Sequence, residues 1–463
     1  MHQKTPPASA PARRSALPFL PFLPFLPSRP ALLEPLRHRR FRQLWLANLA
    51  ANLGRWVQAF AAAWLVASMS ESPLLTTLVQ TASYAPMLLF ALPAGVLADA
   101  VDRPRLLFVI NAGMALAAGL MALATMGGQA TAFTLLALTF LMGCCAAFLW
   151  PAWQASMSTL LEPELVPTAA ILNNLSYNLA ALLGPWLGGL LFQHIGAAPL
   201  FLANALSYLG LLLVYWRWVR DDRAATAAAS AAPTASCPDS AAAAPTGAGA
   251  GAADAAAAGT IGGAWPAFKY GIASAWQQRA FRALLAQVAA IFFVAIAFAA
   301  LLPLYVRDVL HLQASTFGSL MGASGAGAVL AAFALPALRA RLGPRRLLAA
   351  ALLVFGLMLA ALPLTSAWPL ALALVLAGGM AWAAIVSTLN GRAQTAFPSA
   401  LRARTISIYM LAMGAGQSAG ALFWGMVAQR MGVAAALLCA ALAMCACIGH
   451  VLMQATAPAA TTC

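Results

Sequence analysis

The chain has 463 residues, 63% of them hydrophobic and only 8% charged, with a formal net charge of +15 and a mean hydropathy of +0.83. Soluble domains carry about 25% charged residues, so this chain lacks the charge to coat a globule in water. That excludes a soluble enzyme, a secreted disulfide module and a disordered scaffold, and points to the lipid bilayer as the main surrounding.

Residues 1–40 are expected to form a disordered, basic and Pro-rich tail. Pro18 to Leu26 repeats Pro-Phe-Leu, and its prolines interrupt the apolar core that a signal peptide needs. Arg37, His38, Arg39, Arg40 and Arg42 follow as a basic cluster. From there the pattern predicts an all-α membrane protein of twelve transmembrane helices. Six fall near 41–68, 74–98, 105–126, 131–157, 168–192 and 197–218, in an N-terminal bundle over 41–220. Residues 221–280 form an Ala-rich linker that nothing would hold in a packed core. Its end, with Trp265, Phe268, Tyr270 and Trp276, reads as an amphipathic lead-in. Six further spans fall near 281–306, 314–338, 345–366, 369–391, 405–429 and 433–453, in a C-terminal bundle over 281–453; a short tail, 454–463, follows.

Lys and Arg orient this array. Arg55 lies inside a span, and Arg307 and Arg430 sit at one side. The rest fall on the N-terminal tail or the opposite side, for example Arg103, Arg105, Arg217, Arg220, Arg339, Arg346, Arg402 and Arg404. The positive-inside rule places that side, and both termini, in the cytoplasm. The basic charge is then topological, and no nucleic-acid partner is needed to explain it. The seven cysteines show no CxxC or Cys/His metal spacing, so no metal and no other cofactor is implied.

The two halves echo one another. Gly184, Gly189, Gln193 and Gly196 recur at one constant offset as Gly420, Gly425, Gln429 and Gly432. Val101-Asp102-Arg103-Pro104-Arg105 has a partial counterpart in Leu342-Gly343-Pro344-Arg345-Arg346. Two parallel six-helix repeats around a midplane site are an architecture of secondary transporters.

Polar residues inside the spans mark the candidate cavity. Arg55 stands about 14 residues into the first span, roughly 21 Å along a helix, which is mid-membrane. An arginine there costs about 2.5–3.5 kcal/mol on insertion scales, so it should face water or a partner. Asn48, Asn52, Arg55 and Gln58 fall within a third of the helix circumference. Gln80 and Tyr84 share a face of span two, Trp150 and Gln154 lie on span four, and Asn174, Tyr177 and Asn178 on span five. Interhelical hydrogen bonding is the structural alternative for each of them. None of the eleven acids lies mid-span; Asp99 and Asp308 are at span ends. Gly416-Gln417-Ser418-Ala419-Gly420 matches the GxSxG nucleophile pattern but lies inside a span, without the preceding strand that motif requires.

The loop after span two reads Gly95-Val-Leu-Ala-Asp99-Ala-Val-Asp102-Arg103-Pro104-Arg105. It resembles the signature between helices two and three of the major facilitator superfamily. Gly184-Pro185-Trp186-Leu187-Gly188-Gly189 resembles the core of the antiporter motif of its exporters. Phe41 to Trp45, Gly54 to Gln58, Pro151 to Gln154, Asn173 to Gly189, and Arg402, Arg404, Ser407 and Tyr409 are similar to one branch of the superfamily. That branch contains the enterobactin exporter and the transmembrane secretion effectors. Ala181 and Ala403 depart from the branch, which often has Arg and Gly there.

The resemblance implies a multi-pass exporter of the bacterial inner membrane working by alternating access. Its substrate would be a siderophore-like or drug-like small molecule, and its usual coupling partner the proton. Asp99, with Gly95, Asp102, Arg103 and Arg105, would form a latch between the halves on the cytoplasmic side. An importer or uniporter of the same fold, and a membrane-embedded enzyme or sensor, are the alternatives.

Overall fold

The computed structural model describes residues 33–162, 164–231, 278–396 and 402–453. Of 91–93, 95–96, 98–100, 150–151, 154–155, 157–160, 222–231 and 402–405, the backbone alone is described. Most of the N-terminal tail, most of the linker with its lead-in, and the C-terminal tail therefore lie outside the described residues.

The described residues contain no strand. In chain order the helices are α1 (Arg39–Met69), α2 (Pro73–Ala100), α3 (Arg103–Met126), α4 (Ala132–Leu160), α5 (Val166–Ile195) and α6 (Ala197–Ala231). The second set begins with α7 (Arg279–Leu304), which runs into a π-helical turn, Tyr305–Val309. The segment Ala314–Ala361 is two helices joined at Gly343, whose φ of 73° and ψ of 162° break the helical path; we label them α8 (314–342) and α9 (344–361). α10 (Trp368–Thr395), α11 (Arg402–Met431) and α12 (Val433–Met453) complete the set. Short turns link the helices within each half, and twelve helices bring the start of the first and the end of the last to the same end of the bundle, here called proximal; the other end is distal.

Nine stretches of the described residues are long and apolar enough to cross a membrane, and one of them holds both α8 and α9. The described parts of α1 and α2 fall short. Asn48, Asn52, Arg55 and Gln58 dilute the first; in the second, most side chains beyond Phe90 lie outside those described. The outer surface is apolar: Val109, Leu116, Leu120 and Leu123 make an exposed stripe on α3, and Leu202, Leu206, Leu209 and Leu213 one on α6. Stripes at helical spacing, turned outward, match a lipid surround.

Each half is closed by its own contacts. α1 packs on α5 and α6, α3 on α4 and α6, and α2 on α4; in the second half α10 packs on the α8–α9 segment, and α7 on α11 and α12. The halves join along two lines, α2 against α11 and α5 against α8. The internal repeat is visible in the backbone. Gly196 and Gly432, paired by sequence, both take left-handed φ, 76° and 85°, at the turns after α5 and α11, where a Cβ would be strained.

Among the described side chains, several contacts cross between the halves toward the distal end. Phe317 of α8 stacks on Phe60 and Trp64 of α1. Gln193 donates to Gln313 at 2.6 Å. The Thr81 hydroxyl donates to the Ser418 carbonyl at 3.3 Å. Arg307, in the π-helical turn, donates to the carbonyls of Ala67 and Ser70 at the end of α1, the latter at 2.7 Å. The apolar core crosses there as well. One cluster runs without interruption from the second half into the distal part of the first, through Phe60, Val66, Met121 and Leu200. A separate cluster, with Phe41, Leu107, Trp153 and Tyr215, fills the proximal part of the first half.

Candidate functional site

α5 is the element that positions most of the site, and its Gly-Pro-x-x-Gly-Gly run explains how. A Cβ on Gly184 would meet the Cβ of Trp56 at 2.5 Å, and one on Gly188 the Phe60 ring at 2.9 Å. Those two glycines let α1 lie close against α5. Gly189 serves a different neighbour: its Cβ would meet the Gly318 Cα and the Ala314 carbonyl of α8, each at 2.9 Å. The Pro185 carbonyl also faces Gly318. The motif thus has two faces, one turned to its own half and one to the other. Small residues permit such close approach where lipid supplies no hydrophobic drive.

Following the α8-facing stripe of α5 from Gly189 through Pro185 and Leu182 toward the proximal end leads, at helical spacing, to Asn178 and Asn174. Both are exposed, as is Tyr177. They stand beyond the last glycine contact between the two helices, that of Gly325 with Leu182.

Arg55 sits beside them. Its Nη2 donates to the Asn52 Oδ1 at 2.5 Å, and its guanidinium lies 6.0 Å from the centroid of Tyr177. Tyr177 in turn meets Trp56 edge-on at 5.8 Å. Tyr84 of α2 is within electrostatic reach of Tyr177, and the buried Tyr208 of α6 within reach of Arg55. Among the described residues no carboxylate pairs with Arg55. Arg55 thus brings a positive charge to a cluster of otherwise neutral side chains. Asn52, Arg55, Tyr84, Tyr177, Asn174 and Asn178 are brought to one region; Gln80 is half-buried on the same helix as Tyr84.

Gln58 goes elsewhere. It is 3% exposed. Its Nε2 lies 3.0 Å from the Met121 Sδ and 2.6 Å from the Met142 Sδ, and its Oε1 accepts from the Asn204 Nδ2. It is held inside the first half among α3, α4 and α6. Asn204 and Ser207, which complete this network, were not among the sequence candidates; an Asn and a Ser at i and i+3 on a lipid-spanning helix was the signal on offer. Asn48 likewise bonds within the half, donating to the Asn173 Oδ1 at 2.9 Å.

Of the residues expected to form a latch, Gly95 and Asp99 lie on the last turns of α2, where the backbone alone is described. Asp102 occupies the N-cap position of α3 and pairs with Arg105 at 2.9 Å; both are exposed. Arg103 is half-buried on the first turn of α3. The side chains of Trp150 and Gln154 lie outside those described. The GxSxG run on α11 is a packing face: a Cβ on Gly416 would strike the Ala289 carbonyl of α7, and one on Gly420 the Phe293 carbonyl.

Twelve helices in two repeats, closed on each other along two lines and apolar on the outer surface, have the architecture of a membrane transporter of the major facilitator type. Two stretches of the sequence, residues 31–235 and 257–461, match the model of the transmembrane secretion effector family, and the chain belongs to that family. Solved structures share the fold at low identity. A bacterial homologue of the human lysosomal transporter Spinster, in an inward-facing and occupied conformation, is 16% identical with a TM-score of 0.62, covering 91% of this chain and 96% of its own. A POT family transporter in complex with a thioalcohol-conjugated peptide is 10% identical with a TM-score of 0.65, covering 90% and 95%. The nucleoside transporter NupG is 11% identical with a TM-score of 0.61, covering 90% and 99%. No curated protein is similar enough in sequence to count as a relative.

Proposed function

We propose that this protein exports an anionic or acceptor-rich small molecule, siderophore-like or drug-like, across a bacterial inner membrane. Arg55 is the group that meets it. The observation that carries this reading is a mid-helix arginine whose partners among the described residues are a neutral amide and an aromatic ring. A guanidinium without a paired carboxylate attracts anions, and its planar fork binds carboxylate or catecholate oxygens in a bidentate way. Asn174 and Asn178, exposed on the same stretch of α5 as Tyr177, supply further amide donors and acceptors. Secretion, the activity that gives the family its description, supports the outward direction, as does the glycine-proline motif of α5.

In this reading the arginine-rich proximal end and both termini are cytoplasmic. The distal contacts then close the outer side, and the molecule stands open to the cytoplasm. Asp99 with the loop arginines would close the cytoplasmic side in the alternate state. Proton antiport, if it drives export, would run through the acids at helix ends, Asp99 or Asp308.

Flux into inverted vesicles under an imposed pH gradient tests the proposal. Arg55→Gln should raise the apparent KM for an anion by about 10- to 150-fold, from the ~1.5–3 kcal/mol of a hydrogen bond to a charged group. Arg55→Lys should restore part of the loss, since it keeps the charge without the fork. A lipophilic cation carried equally well by wild type and Arg55→Gln, with no anion competing, would return Arg55 to a structural role.

A further inference from the structure

After Asp308 the sequence contains no Asp or Glu at all, yet it carries eight arginines. All but Arg430 belong to the proximal end. Two of them are drawn into the fold. Arg392, on the last turn of α10, is half-buried, and its Nη1 donates to the Gln287 Oε1 of α7 at 2.7 Å. Gln287 is 2% exposed, and its Nε2 has no acceptor among the described residues. Arg345, at the start of α9, turns onto the end of α12. Its Nε and Nη2 donate to the Val451 carbonyl at 3.0 and 2.7 Å, and Nη2 also to that of Leu452.

Arg392 stands between two cavities of about 250 Å³ each. Gln278, Phe281, Leu284 and Thr395 line the first; Arg345, Pro344 and Val451 line the second. Neither arginine pairs with a carboxylate among the described residues. Their sequence neighbours cannot supply one, since 397–405 and 454–463 contain no acid.

Two guanidiniums on one cavity wall repel each other and lose part of their hydration, and a bound anion relieves both penalties. The cavities are several times the ~30 Å³ share of a water molecule. A phosphate group matches the guanidinium fork, and the apolar wall of Phe281 and Leu284 beside Gln278 and Thr395 suits a phosphate bearing an organic substituent. Basic pockets between helices at the cytoplasmic surface are also where lipid headgroups bind. We propose that Arg392 and Arg345 form a binding site for a phosphate group, presented by an anionic phospholipid headgroup or as soluble phosphate. The site lies in the second half, apart from Arg55, so it stands or falls independently of the transport reading.

The test uses the full chain, purified in detergent and stripped of lipid, with two probes: phosphatidylglycerol in mixed micelles, and inorganic phosphate. The readouts are the shift in melting temperature and the lipid retained per protein. Arg392→Gln is compared with Arg341→Gln, an exposed arginine that lines neither cavity and matches the charge change. Stabilisation of wild type and Arg341→Gln, with the half-saturating concentration raised at least about tenfold in Arg392→Gln, is the expected result. Arg392→Lys should fall between. A response to phosphatidylglycerol alone identifies a lipid headgroup, and a response to both probes identifies a soluble source as well. The proposal is overturned if wild type responds to neither probe, if Arg392→Gln binds as wild type does, or if Arg341→Gln loses as much.

Discussion

Arg307→Gln should loosen the distal closure. The guanidinium donates across the boundary between the halves to the carbonyls of Ala67 and Ser70, at the end of α1 where carbonyls lack intrahelical partners. Asp308 holds it there through contacts of 2.5 and 3.0 Å. A hydrogen bond from a charged donor contributes about 1.5–3 kcal/mol. Arg307 is 26% exposed and partly neutralised by Asp308, which brings the two bonds together down to about 1–2 kcal/mol. The Gln193 to Gln313 bond survives, so the substitution shifts the equilibrium without dissolving the seam. A shift of that size raises the population open at the distal end by about 5- to 30-fold. Thr77, fully buried beside Gly425, gives the assay: Thr77→Cys, with the native cysteines removed, is labelled by an impermeant maleimide only when the seam parts. Labelling should be faster by that factor in the Arg307→Gln background. Equal rates in two folded proteins would show that Arg307 does not hold the halves together.

Three other substitutions separate moving parts from fixed ones. Gly189→Val should keep α8 from closing on α5, giving rapid Thr77→Cys labelling and lost flux in a protein that still folds; wild-type flux would remove this contact from the mechanism. Gln58→Leu strands the Asn204 amide and should lower stability by about 1–3 kcal/mol, read as a reduced melting temperature with KM unchanged. A raised KM with unchanged melting would instead put Gln58 in the substrate path. Asp99→Asn should leave expression intact and reduce transport by about 5- to 150-fold, the usual range of coupling between distant sites; unchanged flux would dismiss it as a latch.

The twelve helices were legible because each is an apolar run bounded by charge or by Pro and Gly, and the Gly196 and Gly432 turns were legible as a repeat. The break between α8 and α9 was visible as Gly343-Pro344. The polar cluster was legible only by helix. Periodicity put Asn52, Arg55 and Gln58 on one broad face, but a third of a circumference is wide enough to touch two neighbours. Arg55, held by Asn52, reaches Tyr177, while Gln58 turns to Asn204, 146 residues away. Arg307 looked like an ordinary charge at a span end because its acceptors lie 240 and 237 residues earlier. Arg392 was absorbed into the topological charge count for the same reason; its partner is 105 residues distant. Such pairings depend on how the helices are arranged, which no local pattern encodes.

The contact between Gly189 and Gly318 has a kinetic consequence. Main chain lies on main chain there, with Gly318 against the Pro185 carbonyl and the Gly189 Cα. Knobs seated in holes must change rotamer before they can leave, and each such change adds to the barrier. Between the two glycines there is no rotamer to unlock, so the Gly189–Gly318 contact itself adds little to the barrier for parting the halves. The barrier would lie in its surroundings: Trp186 seated on Gly322, the stack of Phe317 on Phe60 and Trp64, and the polar ties of Arg307 and Gln193.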